Sequence, residues 1–246
     1  ELRLAGSHIA YYDLKEEDEF RLDVEDLKGA LAGRPDCSLL VLCNPNNPTG
    51  LLVEKPLLEK ILDRCQQLGI FMAVDECFLD FVEAPEAYTL KEHLESHQNL
   101  FLFKAFTKRY AMAGVRLGYG LCGNRALLEK MESMSQPWNV SSIAQAAGLA
   151  ALKEKEYVEE GRRITFEELA YLKKELTELG YPVYLSQANY VFFEGPENLY
   201  DQLEQKKILI RDCSNYTGLS KGYYRVAVKN HQDNQQLIRA LRELQK

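Results

Sequence analysis

The sequence predicts an α/β protein: a mainly parallel sheet flanked by helices, followed by a second, smaller α/β unit. Three observations predict it. The runs SLLVLC at 38–43, IFMAV at 70–74 and FLF at 101–103 are continuously apolar, which suits strands covered on both faces rather than strands with one face in water. Helical periodicity fills the space between the first two runs, and strands alternating with helices build parallel sheets. After Gly120 the chain turns to a long helical run and then returns to short strand signals.

Taken in order, ELRLAG reads as the tail of a helix ended by Gly6, and HIAYYDL as a strand, which is the start expected of a chain that opens inside a domain. Leu22, Leu27 and Leu31 share one helical face, with Asp23 near the start of that helix. NPNNPTG at 44–50 is a loop by composition. The next helix has Pro56 in its first turn, points Leu57, Leu58, Ile61, Leu62 and Cys65 inward and ends at Gly69.

A short polar loop then carries Thr107 and Lys108 from the strand at Phe101 to one leaving at Leu117. Asn124 suits the N-cap of the helix NRALLEKMESM, and PWNV forms a turn. Residues 141–179 keep a helical period and form a long helix bent near Lys155. Strands at YPVYL, NYVFFE, ILIR and YYRVAV, a helix near Leu199 to Gln205 and a final helix from Asp233 complete the second unit. The expected division is a large domain over 1–153 and a linking helix with a small domain over 154–246.

Composition narrows the function classes. With 246 residues and 46% hydrophobic content the chain can bury a substantial core. The net charge of -7 comes from interleaved acids and bases, with no basic patch for nucleic acid and no polybasic segment for membranes, so small molecules are the expected partners. No apolar stretch reaches the ~18–20 residues of a membrane span. Six cysteines are scattered without a CxxC pair, which argues against a zinc site and a disulfide framework and points to a reduced, cytoplasmic setting. The four histidines, His8, His93, His97 and His231, stand in no readable motif.

The chemistry gathers at strand ends. Lys108 lies just past one, where open α/β sheets place ligands. Eight residues later comes Arg116, with Gly114 before it to let the backbone approach a ligand. Both could be plain surface cations. A lysine able to form a Schiff base beside an arginine suited to phosphate also fits pyridoxal phosphate (PLP). Asp75 closes the run Ile70 to Val74, where a carboxylate needs a partner, an N-terminal helix cap or a lysine being the ordinary ones. Asn47 has an ordinary reading as a turn residue. Arg211 and Arg225 stand at the ends of two apolar strands, either as surface rim or as anion clamps.

Five motifs in order, NPNNPTG at 44–50, VDECFLDF at 74–81, FTKRYAMAGVRLGY at 106–119, PWNV at 137–140 and IRDCSNYTGL with YYRVAVK near the C-terminus, resemble the fold-type I PLP enzymes over nearly the whole chain. The similar branch is the one holding histidinol-phosphate aminotransferase and threonine-phosphate decarboxylase. The resemblance implies the PLP-transferase fold without its N-terminal arm and first portion, which in that family supply a glycine-rich turn for the cofactor phosphate and an aromatic that stacks on the ring. It implies Lys108 as the catalytic lysine and Asn47, Asp75, Phe78, Thr107, Lys108 and Arg116 as the cofactor-binding set. Asp75 would hold the protonated ring nitrogen, and Asn47 would donate to the phenolic oxygen. Asn47, Arg211 and Arg225 would bind substrate, Arg225 taking the α-carboxylate and Arg211 a phosphate.

Two positions depart from the pattern. Ala105 stands where the family usually has a serine or threonine on the cofactor phosphate, a contact Thr107 could partly replace. Phe78 stands where the aminotransferases of the branch often have a tyrosine; it cannot donate a hydrogen bond and leaves Asn47 as the named donor. The expectation is therefore a PLP enzyme acting on a small phosphorylated amino acid, first by loss of CO2 from threonine phosphate, a step linked through the family to cobalamin synthesis. Amino transfer with histidinol phosphate or a related amino acid comes second. An inactive cofactor-binding module stands as an alternative of another class. By resemblance the chain forms a homodimer.

Overall fold

The computed structural model describes residue 3 and residues 6–245. Asp23 caps α1 (Val24–Ala32), its carboxylate accepting from the backbone N–H groups of Glu25 and Asp26, while Val24, Leu27 and Leu31 turn inward. β1 (Leu39–Cys43) follows. α2 (Lys55–Leu68) carries Pro56 in its first turn, where a missing N–H is harmless, and stops at Gly69, whose φ of 71° takes the left-handed cap that glycine adopts freely. β2 (Phe71–Asp75) and β3 (Leu100–Ala105) extend the sheet in parallel. After the single turn α3 (Phe106–Arg109), β4 (Gly118–Cys122) returns antiparallel on the edge of β3. Leu58, Ile61, Leu62, Met72, Val74, Leu100 and Leu102 form the core between α1, α2 and one sheet face.

α4 (Arg125–Met134), capped by Asn124, leads through a turn at Pro137 and Trp138 to α5 (Ser142–Ala151) and α6 (Lys155–Glu178). The second sheet comprises β5 (Tyr190–Glu194), β6 (Arg211–Asp212) and β7 (Tyr223–Ala227) in the antiparallel order β5-β7-β6. α7 (Leu199–Gln205) and α8 (His231–Leu244) pack with α6 over Val191, Phe193 and Val226. On the sheet's other side Phe192 stacks on Tyr223 with ring centroids 5.7 Å apart. Phe20 and Leu51 join that cluster and so tie the two sheets together.

Several expectations are corrected. Residues 8–14 form no strand, and the helical tail expected over 1–6 lies largely outside the described residues. The run 141–179 is broken, not bent: residues 152–157 are all exposed, so no packing carries a helix through that charged stretch. YPVYL contributes one bridge, Val183 to Phe193, and ILIR pairs only at its end. Thr107 and Lys108 sit in a helical turn rather than a loop, and the final helix begins two residues before Asp233. The first sheet is covered well on one face. On the other, Leu39, Val41 and Phe103 stay 38%, 49% and 42% exposed, so the continuous apolar runs overstated the cover.

Candidate active site

The ends of β1, β2 and β3 converge, because parallel strands in register bring their carboxyl ends to one edge of the sheet. Cys43 is level with Asp75, and Asp75 with Phe103. Asp75 is half-buried, and one of its oxygens accepts from the Cys77 backbone N–H at 2.9 Å. It makes no ion pair among the described residues. Burial pushes the Cys43 thiol up to about 11 and the Cys77 thiol up to about 12, with the Asp75 carboxylate adding to both. Both are therefore protonated neighbours of a carboxylate near neutral pH.

Lys108 stands exposed in α3 with Nζ 5.6 Å from the centre of the Phe78 ring. It has no carboxylate partner among the described residues either. Phe78 meets Tyr190 edge to face at 5.1 Å, and the Arg225 guanidinium lies over the Tyr190 ring at 5.0 Å. Tyr190 is buried at the start of β5 and donates its hydroxyl to the Asn46 carbonyl at 2.7 Å. Burial raises its hydroxyl pKa, against the opposing Arg225 cation.

Arg225 Nη1 donates to Asn47 Oδ1 at 2.5 Å, and Tyr216 donates to the same oxygen at 3.1 Å. A guanidinium only donates, so the atom facing it must be the amide oxygen. Asn47 Nδ2 then donates to no described residue. Arg211 is directly opposite Arg225 across β6 and β7, lies 5.8 Å from the Tyr216 ring centre and donates to Asn215 at 2.9 Å. An unbroken series of contacts thus runs from Lys108 through Phe78, Tyr190, Arg225, Asn47 and Tyr216 to Arg211.

The loop that holds Asn47 is fixed from both sides. Asn46 donates to Thr49 at 2.8 Å, and Gly50 has a φ of 74°. A Cβ on Gly50 would fall 1.9 Å from Ser186 Oγ, so only glycine lets the loop meet the 186–190 segment. Thr107 is half-buried and makes no side-chain hydrogen bond among the described residues. Arg116 is exposed and turns back to the Ala113 carbonyl at 2.9 Å, outside the series of contacts. Gly114 has nothing within 4 Å of an added Cβ, so the structure itself requires no close approach there.

Sequence reasoning did not single out Tyr190, Tyr216 or Glu76. Tyr190 and Tyr216 were visible only as members of NYVFFE and RDCSNYTGL, since nothing local says where an aromatic ring will lie. Glu76, one residue past the end of β2, is fully buried, accepts the Thr89 hydroxyl at 2.8 Å and pairs with Lys104 of β3 at 2.7 Å. The only signal for it was a second acid after Asp75. His93, His97 and His231 each contact a carboxylate, of Glu59, Asp63 and Glu168, away from this series.

A mainly parallel sheet with a lysine just beyond one strand end and an acid at the next is the scaffold of fold-type I PLP enzymes. Residues 1–241 match the family described as aminotransferase class I and II, and the chain belongs to that family. It is 36% identical over 247 residues to the threonine-phosphate decarboxylase of Salmonella typhimurium, covering 99% of this chain and 66% of that protein. It is 38% identical over 232 residues to a histidinol-phosphate aminotransferase of Desulfitobacterium hafniense, covering 93% of this chain and 61% of the relative. The histidinol-phosphate aminotransferase of Clostridium acetobutylicum superposes with a TM-score of 0.91 at 29% identity, over 99% of this chain and 73% of that one. The chain thus spans a little under two thirds of the length of these sequence relatives.

The cofactor of this family is pyridoxal 5′-phosphate, and the donor set here fits it. Asp75 offers an acceptor without a cation, Lys108 an amine without an acid, and Asn47 an amide N–H pair without an acceptor. These are the complements of a protonated ring nitrogen, an aldehyde and a phenolic oxygen.

Proposed function

We propose that this chain carries the site of an enzyme that removes CO2 from a small phosphorylated amino acid, with threonine phosphate the leading substrate. The observation that carries this reading is Arg211 set opposite Arg225 with no carboxylate paired to either among the described residues. Like charges placed across from each other weaken a sheet. A ligand bearing both a carboxylate and a phosphate would neutralise them, and the Salmonella relative's name agrees with such a ligand.

Bound pyridoxal phosphate supplies an electron sink for the pair released at the substrate's α-carbon. Asp75 keeps a proton on the ring nitrogen by offering it a carboxylate in a half-buried place. Lys108 Nζ anchors the cofactor and moves a proton at the α-carbon. Arg225 binds the carboxylate and Arg211 the phosphate, the guanidinium fork suiting both. Two fixed ends would hold the substrate in one orientation, and that orientation would decide which bond at the α-carbon breaks. A second copy of the chain is the proposed partner for the apolar side chains exposed between Met131 and Leu152.

Amino transfer is the second reading, favoured by the similarity to the Desulfitobacterium and Clostridium aminotransferases. The chain loaded with pyridoxal phosphate and given threonine phosphate should release CO2 without forming a keto acid. Rapid keto acid formation from histidinol phosphate or glutamate, with no CO2, would replace decarboxylation by transamination.

A further inference from the structure

Asn47 Oδ1 has two lone pairs, and both are taken, one by Arg225 and one by Tyr216. These two donors turn the amide so that Nδ2 faces away from them. They are not equivalent under load, because Arg225 is also the group offered to a substrate carboxylate. Arg225 gives Asn47 one of its five N–H donors, and a carboxylate that draws the guanidinium toward itself would loosen that bond. Tyr216 faces no such pull through its hydroxyl, which is fixed on the amide at 3.1 Å.

The other end of Tyr216 reaches the second cation. Its ring centre lies 5.8 Å from the Arg211 guanidinium, which also donates to Asn215. One side chain thus touches the amide and the outer arginine. Phe78 adds to the demand on that amide, since it has no hydroxyl to offer.

We propose that Tyr216 is a positioning residue that keeps the Asn47 N–H pair aimed while Arg225 is engaged by a ligand, and that props Arg211 with the same ring. This rests on the reading of the site as one for pyridoxal phosphate and a ligand with two anionic ends. The two functions belong to different atoms of Tyr216. Tyr216→Phe removes only the hydroxyl, and Tyr216→Leu removes the ring as well.

The probe is 3-phosphonopropionate, which carries a carboxylate and a phosphonate but no amine to react. The readouts are its affinity by calorimetry and the pH midpoint of the bound pyridoxal phosphate absorbance band, with and without the probe. In Tyr216→Phe the probe-bound midpoint should rise by about half a pH unit or more above wild type, because a donor to the ring oxygen is no longer held in place. Its probe affinity should stay within about twofold of wild type. Tyr216→Leu should shift the midpoint likewise and weaken the probe by about fivefold, as loss of the ring under an exposed guanidinium predicts.

A Tyr216→Phe protein whose midpoint matches wild type in the presence of probe overturns the inference. So does a Tyr216→Leu protein that folds and binds the probe as tightly as Tyr216→Phe. A wild-type chain that takes up no pyridoxal phosphate fails earlier and for another reason: it overturns the reading of the site on which Tyr216 depends.

Discussion

Lys104 and Glu76 each sit one residue from a position at the site, beside Ala105 and Asp75. Glu76 is wholly buried and the Lys104 side chain is 14% exposed, so their 2.7 Å contact is shielded from solvent. Removing one member of such a pair strands a buried charge, which costs far more than replacing both. Lys104→Met should therefore lower stability by about 3–5 kcal/mol in urea denaturation. Lys104→Met with Glu76→Leu should recover most of that loss. A Lys104→Met protein within about 1 kcal/mol of wild type would mean that Thr89 alone satisfies Glu76. At this scale the sequence was readable where a residue's place is set by the local pattern. The places of Asp75, closing an apolar run, and Lys108, past a strand end, were of that kind. Tyr190 and Tyr216 were not, because their importance lies in neighbours 144 and 169 residues away in the chain.

Among the elements, the loop at 44–50 depends on a contact no local pattern announces. Gly50 adopts a φ of 74° and leaves no room for a Cβ against Ser186. Gly29, by contrast, is exposed in α1 with nothing within 4 Å of an added Cβ. Gly50→Ala should destabilise the protein by about 1–3 kcal/mol or more through strain and overlap. Gly29→Ala should stabilise it by about 0.5–1 kcal/mol, the ordinary gain in a helix interior. Denaturation midpoints that move the same way for both would contradict the structural distinction. Strands and helices held in place by local signals, such as the Asp23 cap and the stop at Gly69, were legible. The break at 152–154 was not, since helical periodicity persists in the sequence on both sides while the packing that would join them does not exist.

For the whole molecule, the two sheets are joined where Phe20 and Leu51 meet Phe192, and this places Arg225 and Tyr190 of the second sheet beside Asn46 and Asn47 of the loop that follows β1. The order of the motifs in the sequence led to the expectation of such a site. Only the fold shows that Arg211 and Arg225 face each other across paired strands. Beyond the site, Trp138 is 95% exposed and Ile143 76%, large apolar side chains that a second copy would cover. Sedimentation should give a dimer that Ile143→Asp weakens, and a wild-type monomer at micromolar concentration would refute that assembly.

The proposed site turns on one lysine. The direct measurement is borohydride reduction of the chain after addition of pyridoxal phosphate, followed by digestion and mass analysis. A single pyridoxyl adduct on the peptide containing Lys108, absent from Lys108→Ala together with the absorbance band, is the expected result. An adduct scattered over other lysines, or an unchanged band in Lys108→Ala, would contradict it.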